Sequence, residues 1–591
     1  MSCASPHITI SGGGIALKVP PAQLKLKLQS TMVFYKSTEE SENILQILLT
    51  LFSESDNELP QSVRHRIENV TFDAKRNLPY FPIPFKETET TAALKAIEAS
   101  VAAELGDLKG GGDSQRAIKI DLEKTTAFLF QAYLATVGSK SKLDPNVKRL
   151  LKDTDLLQAQ SDPYRRMSAN LYETKNRGEY YHIHGSLEAS TTLVMIGLEP
   201  FRPDLETHEE IVNTIEDAVR KFTIDELEEM NTANKQAGVP VLKHENFLKT
   251  PHGSEASKAL PWSVHSLEEQ TPPCPLPSSD DKRPLSGIKV LELCRIIAGP
   301  TITRILGEYG ATVLKITSPH LSDVPFFQVD GNMGKHAADL DLKTREGKEK
   351  FEELLADVDI VVDGYRPGAF DRLGYGPKQL LEMAKRRGKG IVYVNENCFG
   401  YEGEWAHRPG WQQIADCVSG VAWEQGKFMG LSEPVVPPFP ISDYGTGCIG
   451  AITALLGLLH RTRRGGSWHG KASLLQYDLL LFKAGLYTEQ VQEQLRQLMG
   501  PEFLALRHDN SVDQISGTAL RQMRQQFPAF FTRPKLLDHW YADKYNATIE
   551  AVNPVAEIQG LELGFQRASR PNGSDLPTWD FGIEADVRKG L

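Results

Sequence analysis

Asp443 is the residue whose surroundings most suggest chemistry. It follows the Pro-rich run Pro437-Pro438-Phe439-Pro440 and opens a helix-like stretch, SDYGTGCIGAITALLGLL. A carboxylate at a helix N-terminus stays ionised and can serve as a covalent nucleophile, and neighbouring glycines let a substrate approach the backbone. The amides of Gly445 and Gly447 would then stabilise an oxyanion formed by attack on a carbonyl. The same position suits a plain N-cap, its side chain accepting amide hydrogen bonds from the first turn. Residue type alone does not separate the two. Two other stretches carry less. His182-Ile183-His184 puts two imidazoles on one strand face, but no third ligand stands at metal-like spacing, so a solvated face and no metal are expected. The stretch from Gly465 to Lys471 (GGSWHGK) has phosphate-loop spacing, yet Ala472 replaces the hydroxyl that would hold magnesium, and the segment follows a helix rather than a strand.

Composition narrows the classes. The chain has 591 residues, 40% of them hydrophobic and 24% charged, as in soluble proteins of two to four domains. Its 66 basic and 77 acidic residues are spread along the length, which argues against a nucleic-acid surface. Cys3, Cys274, Cys294, Cys398, Cys417 and Cys448 are scattered with no CxxC pair, which suits a reduced compartment. The N-terminus MSCASPHITISGGG lacks a signal-peptide pattern, and the C-terminal Arg-Lys-Gly-Leu is not the peroxisomal Ser-Lys-Leu. The longest apolar run, Cys448 to Leu459, is well short of the ~20 residues of a membrane span. A soluble, cytoplasmic protein with no membrane or nucleic-acid partner is expected.

An α/β layer must position Asp443. Ile288–Leu293, Thr312–Ile316, Val358–Val362 and Ile391–Val394 read as short apolar strands. Thr301–Tyr309, Thr344–Leu355 and Pro377–Arg387 read as the helices between them, with Gly310 a C-terminal stop. Strand and helix alternating at this spacing predict right-handed crossovers and a doubly wound, Rossmann-like parallel sheet. Upstream, a helix over Thr91–Leu105, a hairpin over Ala169–Ser186 turning at Asn176-Arg177-Gly178, and helices Glu209–Lys221 and Ile224–Gln236 predict a smaller α+β region. Thr223 should cap the last helix and Gly238 close it. The expected domains are a flexible tail over 1–28, an N-terminal half over 29–258, a Pro- and Ser-rich, solvated linker over 259–283, and a large domain over 284–591. A weak internal repeat lays FPIPFKETETTAALKAIEASV, from Phe81, on FPISDYGTGCIGAITALLGLL, from Phe439. Phe85 then stands where Asp443 stands.

PLSGIKVLELCRIIAGPTITRILGEYGATVLKI, VVDGYRPGAFDRLGYG, the run from ENCFGYEG to RPGWQQIADCVSG, and ISDYGTGCIGAITALLGLLHRTRRG occur in that order. Together they resemble family III coenzyme A transferases (the CaiB/BaiF type), which include formyl-CoA transferase, carnitine CoA-transferase and α-methylacyl-CoA racemase. The resemblance implies that Asp443 attacks an acyl-CoA thioester and that CoA passes between an acyl donor and a carboxylic acid. No permanently bound cofactor is implied, CoA being a substrate. By motif it also implies that Ile297, Ala298, Lys335, Tyr365, Ala369, Arg372 and Leu373 bind CoA, with Arg372 as the phosphate partner. Racemases of the family pair the aspartate with the histidine of a GHD motif, where this sequence has Gly410-Trp411-Gln412. The family's small domain resembles the upstream stretch from NLYETKNRGEYYHIHGS to QAGVPVLKHENFLKTPHG. The family's interlocked dimers therefore imply that one chain builds a pseudo-dimer of two degenerate halves, monomeric or again dimeric. CoA transfer, racemisation, and a decayed CoA-binding or scaffold role are the functions to separate.

Overall fold

The main sheet is built from β1 (Ser263–Glu268), β2 (Lys289–Leu293), β3 (Thr312–Thr317), β4 (Lys335–Asp339), β5 (Ile360–Asp363), β6 (Val392–Asn397) and β7 (Ser467–Ser473). Their order is β4-β3-β2-β5-β6-β7-β1. Strands β2 to β7 are parallel, and β1 closes the edge antiparallel to β7. The parallel strands are almost wholly buried, as sheets covered by crossover helices on both faces must be. From β2 the chain winds outward through β3 and β4, then returns to the other side of β2 for β5, β6 and β7. A crevice therefore opens beyond the C-terminal ends of β2 and β5, where sheets of this winding bind ligands.

This is the computed structural model of the chain, and it describes residues 35–53, 55–110, 115–582 and 587–588. The expected tail over 1–28 lies outside the described residues. Ser37–Leu591 form one compact unit, and of the short unit Met1–Lys36 only Tyr35 and Lys36 are described.

Five helices frame the crevice: α1 (Glu87–Gly110), α2 (Ala298–Glu308), α3 (Gln412–Ser419), α4 (Ile441–Arg464) and α5 (Leu474–Ala484). Small residues let α4 lie close against α2. A Cβ on Gly447 would stand 2.4 Å from Thr301 Cγ2, and one on Gly450 2.3 Å from Ile302 Cδ1. By length and composition α4 could cross a membrane, but 94% of its apolar window is buried inside the protein. It is a core helix.

The aligned repeat meets in the core. α1 packs on α4, and the Phe81 and Phe439 rings that precede them lie 5.9 Å apart. Each helix leads into a short strand, Ile118–Asp121 after α1 and β7 after α4. Phe85 is buried edge-on against Phe482, so the first copy carries no carboxylate at that place.

Upstream, strands Ala169–Glu173 and Tyr180–His184 form the expected hairpin, with Gly178 at φ +82° in its turn. Helices His208–Val219 and Ile224–Asn234 pack on it around Tyr172, Tyr181, Ile215 and Leu227. Thr223 caps the second in a full capping box, but Lys235, not Gly238, ends it in the left-handed region. Gly238 serves packing instead, a Cβ there falling 2.5 Å from Asn231 Oδ1. Within the expected solvated linker, β1 pairs with the sheet edge and Trp262 is buried, stacked 4.0 Å from Phe52. Polar composition did not forbid a strand there, because an edge strand needs main-chain partners more than an apolar face. Beyond α5, helices Glu489–Leu504 and Val512–Gln526 precede the closing hairpin Leu537–Ala542/Ala547–Val552.

Candidate active site

Asp443 does not cap its helix. Pro440 holds the N-cap position with no side-chain hydrogen bond, and Asp443 stands two residues inside the first turn. Its carboxylate accepts the backbone N–H of Ala298, at the start of α2. It faces two cavities at once. The larger, about 480 Å³, is mostly apolar. The smaller, about 80 Å³, lies in the crevice beyond β2 and β5. Only Asp443, Ile296, Ile297 and Trp411 line both.

The walls have separate origins. The small cavity is lined by C-terminal-half residues, including Arg295, Ala298, Tyr365, Arg366, Glu396 and Arg408. Much of the large one comes from the N-terminal half, including Tyr133, Lys142, Leu151, Arg166, His184 and Leu187. The two halves thus complete one site, with the carboxylate at their junction.

Backbone strain marks the same junction. Ile296 sits at φ +68° and Phe439 at φ +66°, conformations that cost side-chain-bearing residues of order 1–3 kcal/mol. Both lie next to Asp443, Ile296 through the cavity walls and Phe439 in sequence. The Phe439 amide is held by Ser516 Oγ at 2.9 Å.

The electrostatics are those of crowded, dry carboxyls. Burial, then the carboxyls of Glu396 and Asp478, push the Asp443 carboxyl well above the usual range. That differs from the expectation of a carboxylate kept ionised by its helix, because desolvation outweighs the dipole here. Beneath it, Ser442 Oγ lies 3.0 Å from Asp416 and 2.8 Å from Asp478. Burial raises both carboxyls, Asp478 to about 7.

The residues expected to bind CoA divide into three groups. Ile297, Ala298 and Tyr365 line the small cavity. Ala369, Arg372 and Leu373 form one short helix after β5, Arg372 exposed, and line neither cavity. Lys335 is corrected outright. It is fully buried, with Nζ donating to Glu292 at 2.7 Å and to the Pro300 carbonyl at 2.7 Å, so it braces the first turn of α2. The oxyanion role for Gly445 and Gly447 is corrected too. Only the first turn of a helix has spare N–H groups, and both glycines lie beyond Asp443 within the helical ladder. Their part is steric, a Cβ on Gly445 meeting the Tyr477 ring at 2.0 Å.

His182 and His184 are not solvated. They stack 5.5 Å apart, His184 stacks in turn on Trp411, and burial lowers both pKa values, His182 to about 4. Both are neutral; His184 stands in the wall of the larger cavity, and His182 stacks on its ring. Among the described residues no group of His, Cys, Asp and Glu is arranged to hold a metal.

Sequence reasoning missed Glu396, Arg295, Arg366 and Ile296. A charged residue ending an apolar strand, VYVNE, and the arginine of Arg366-Pro367-Gly368 were available signals. Nothing in the sequence marks the strain at Ile296.

A sequence model of CoA-transferase family III matches residues 285–506. The acetyl-coenzyme A transferase nodX of Hypoxylon pulicicidum is 32% identical over 546 residues, 90% of this chain and 91% of its own. An acyl-CoA transferase of Gibberella moniliformis is 33% identical over 429 residues, 71% of this chain and 75% of its own. A solved CAIB/BAIF family protein from Brucella suis is 27% identical over 34% of this chain and 55% of its own, with a TM-score of 0.29. The nodX match runs through both halves, so the junction at Asp443 is set in a chain whose layout that relative shares. This chain belongs to CoA-transferase family III.

Proposed function

We propose that the enzyme moves CoA from an acyl-CoA donor to a carboxylic acid by way of a covalent load on Asp443. The observation that carries this is the carboxylate standing in the wall common to two cavities. The narrow one, at the sheet crevice with Arg295 and Arg366 on its wall, suits the phosphate-bearing thiol arm. The wide, mostly apolar one suits the acyl group and then the acceptor.

Attack of Asp443 on the thioester carbonyl forms an acyl–aspartyl anhydride and breaks the C–S bond, releasing CoA thiolate. The thiolate attacks the aspartyl carbonyl, forms an aspartyl–CoA thioester and frees the donor acid. The acceptor carboxylate then attacks that thioester, giving a second anhydride, and the thiolate returns to the acceptor's acyl carbon. Each intermediate keeps the activation of the thioester, so water must be kept out. The wide cavity, whose wall is mostly apolar, limits the water that can reach Asp443 from that side. In the wide cavity Lys142 and Arg166 both pair with Asp513, and either could be drawn to an incoming carboxylate. We place the reaction in the cytoplasm, where the five free cysteines among the described residues would stay reduced.

The test supplies acetyl-CoA and succinyl-CoA as donors with a panel of carboxylic acids. New CoA esters should form with the natural chain and vanish in Asp443→Ala. Hydroxylamine should trap a hydroxamate on Asp443. Transfer persisting in Asp443→Ala would overturn the proposal.

A further inference from the structure

Glu396 ends β6 with its carboxyl in the wall of the narrow cavity, on the thiol side of Asp443. A Cβ on Gly364 would stand 3.3 Å from Glu396 Oε2, which places the carboxyl over the end of β5 at the crevice itself. No hydrogen bond or ion pair to it is found among the described residues. The cations of the same wall are engaged elsewhere. Arg408 pairs with Glu228 at 2.9 Å, Arg295 donates to the Ser322 carbonyl at 2.9 Å, and Arg366 reaches Ser186 Oγ at 3.4 Å. The remaining titratable neighbours are Asp363, Asp443, Cys294, Cys398 and Tyr401, and none is a cation.

We infer that Glu396 is a second catalytic residue, a carboxylic acid that protonates the CoA thiolate when the acyl group moves to Asp443 and takes the proton back when sulfur attacks again. Resting as it does on Asp443 being the nucleophile, this assigns the proton that the aspartyl chemistry leaves unplaced. Two facing carboxyls in a dry site cannot both ionise cheaply, so one keeps its proton. Asp443 has the Ala298 amide and the start of α4 to favour its charge, whereas Glu396 has no donor. Burial raises both carboxyls, and the reactive form is the one in which Asp443 is the anion and the proton of the pair sits on Glu396. Burial and Asp363 raise its carboxyl to about 8, close to an ordinary thiol at about 8.5. Transfer between groups so matched is efficient in both directions.

The steps balance. As Asp443 attacks, the C–S electron pair leaves on sulfur, and the thiolate takes the Glu396 proton to give CoA thiol and a Glu396 carboxylate. That carboxylate removes the same proton as sulfur attacks the next carbonyl. The free thiol is held against the anhydride, with the negative charge carried by the Glu396 carboxylate instead of by sulfur.

The test measures single-turnover CoA release with a thiol reagent, using whichever of acetyl-CoA and succinyl-CoA the natural chain turns over. Glu396→Gln should slow release by about 10²–10⁴-fold, the usual worth of a general acid, with donor KM within threefold. The natural chain should show a slower release in D2O, and the variant should lose that isotope effect. Glu396→Leu should lose the same rate while folding at least as stably, since it removes a half-buried acid that has no partner among the described residues. Release within threefold of the natural rate in Glu396→Gln overturns the inference. So does a slowed variant that keeps the isotope effect, or α-deuterium entering the donor without an acceptor through Glu396. If Asp443→Ala is inactive while Glu396→Gln is normal, only this inference falls. If Asp443→Ala remains active, the aspartyl mechanism falls with it.

Discussion

Gly447→Ala probes how the carboxylate is held. The new Cβ would lie 2.4 Å from Thr301 Cγ2, 2.6 Å from Thr301 Cβ and 3.4 Å from the Ala298 carbonyl. Carbon atoms pack at about 3.5–4.0 Å, so the shortfall is about 1 Å. No rotamer of Thr301 removes it, because Thr301 Cβ itself is too close, and α2 and α4 must part. The Ala298 amide that Asp443 accepts sits at the start of α2, so the same movement stretches that bond. Overpacking of this kind costs about 1–3 kcal/mol of stability, and a ~1 Å misplacement of a reacting group costs ~100-fold in turnover. Gly457→Ala is the control. It lies on the same helix but meets Val392 Cγ1, at 2.7 Å, near the start of β6 and away from Asp443. Denaturant unfolding and kcat are measured on both variants. Both should lose comparable stability, and only Gly447→Ala should lose turnover by ~100-fold. Wild-type turnover in Gly447→Ala, or an equal loss in Gly457→Ala, would refute the idea that this contact sets the position of Asp443.

Two further outcomes follow from buried charge. Lys335→Met should leave the KM for acyl-CoA unchanged yet cost about 3 kcal/mol or more, because it strips the closest cation from buried Glu292; a raised KM at full stability would restore a CoA-binding role. Glu87, buried beneath the Tyr477 hydroxyl at 2.8 Å, has its carboxyl raised to about 8 by burial. A raised carboxyl contributes stability below its unfolded pKa of about 4.5, and that stability is lost as pH climbs towards 8. Between pH 5.5 and 7.5 the group removes up to about 3 kcal/mol, at about 1.4 kcal/mol per pH unit. Glu87→Gln should flatten the fall in urea midpoint over that window, and an unchanged slope would show that Glu87 does not titrate there.

The sequence by itself determined the sheet and singled out Asp443. Four continuous apolar runs separated by amphipathic stretches leave little besides buried parallel strands joined by helices, and Pro377–Arg387 was legible to its last residue because Pro and Gly fix its ends. The motifs singled out Asp443, Ile297, Ala298 and Tyr365, and all four line the small cavity, the last three from the segments that follow β2 and β5. Lys335 was misplaced because a lysine in a motif looks alike whether it faces phosphate or a buried glutamate. His182 and His184 were misplaced because strand alternation does not say what covers each face. Tertiary structure alone decided that Asp443 stands between two cavities and that residues of the N-terminal half, which has Phe85 at the place of Asp443, help wall the larger one. It also decided that Glu396 is left without a partner beside Asp443. Those facts depend on which surfaces meet across hundreds of residues, and local periodicity carries no record of them. Desolvation, which raises the carboxyls of Asp443, Glu396, Asp416 and Asp478, arises only once those surfaces have closed.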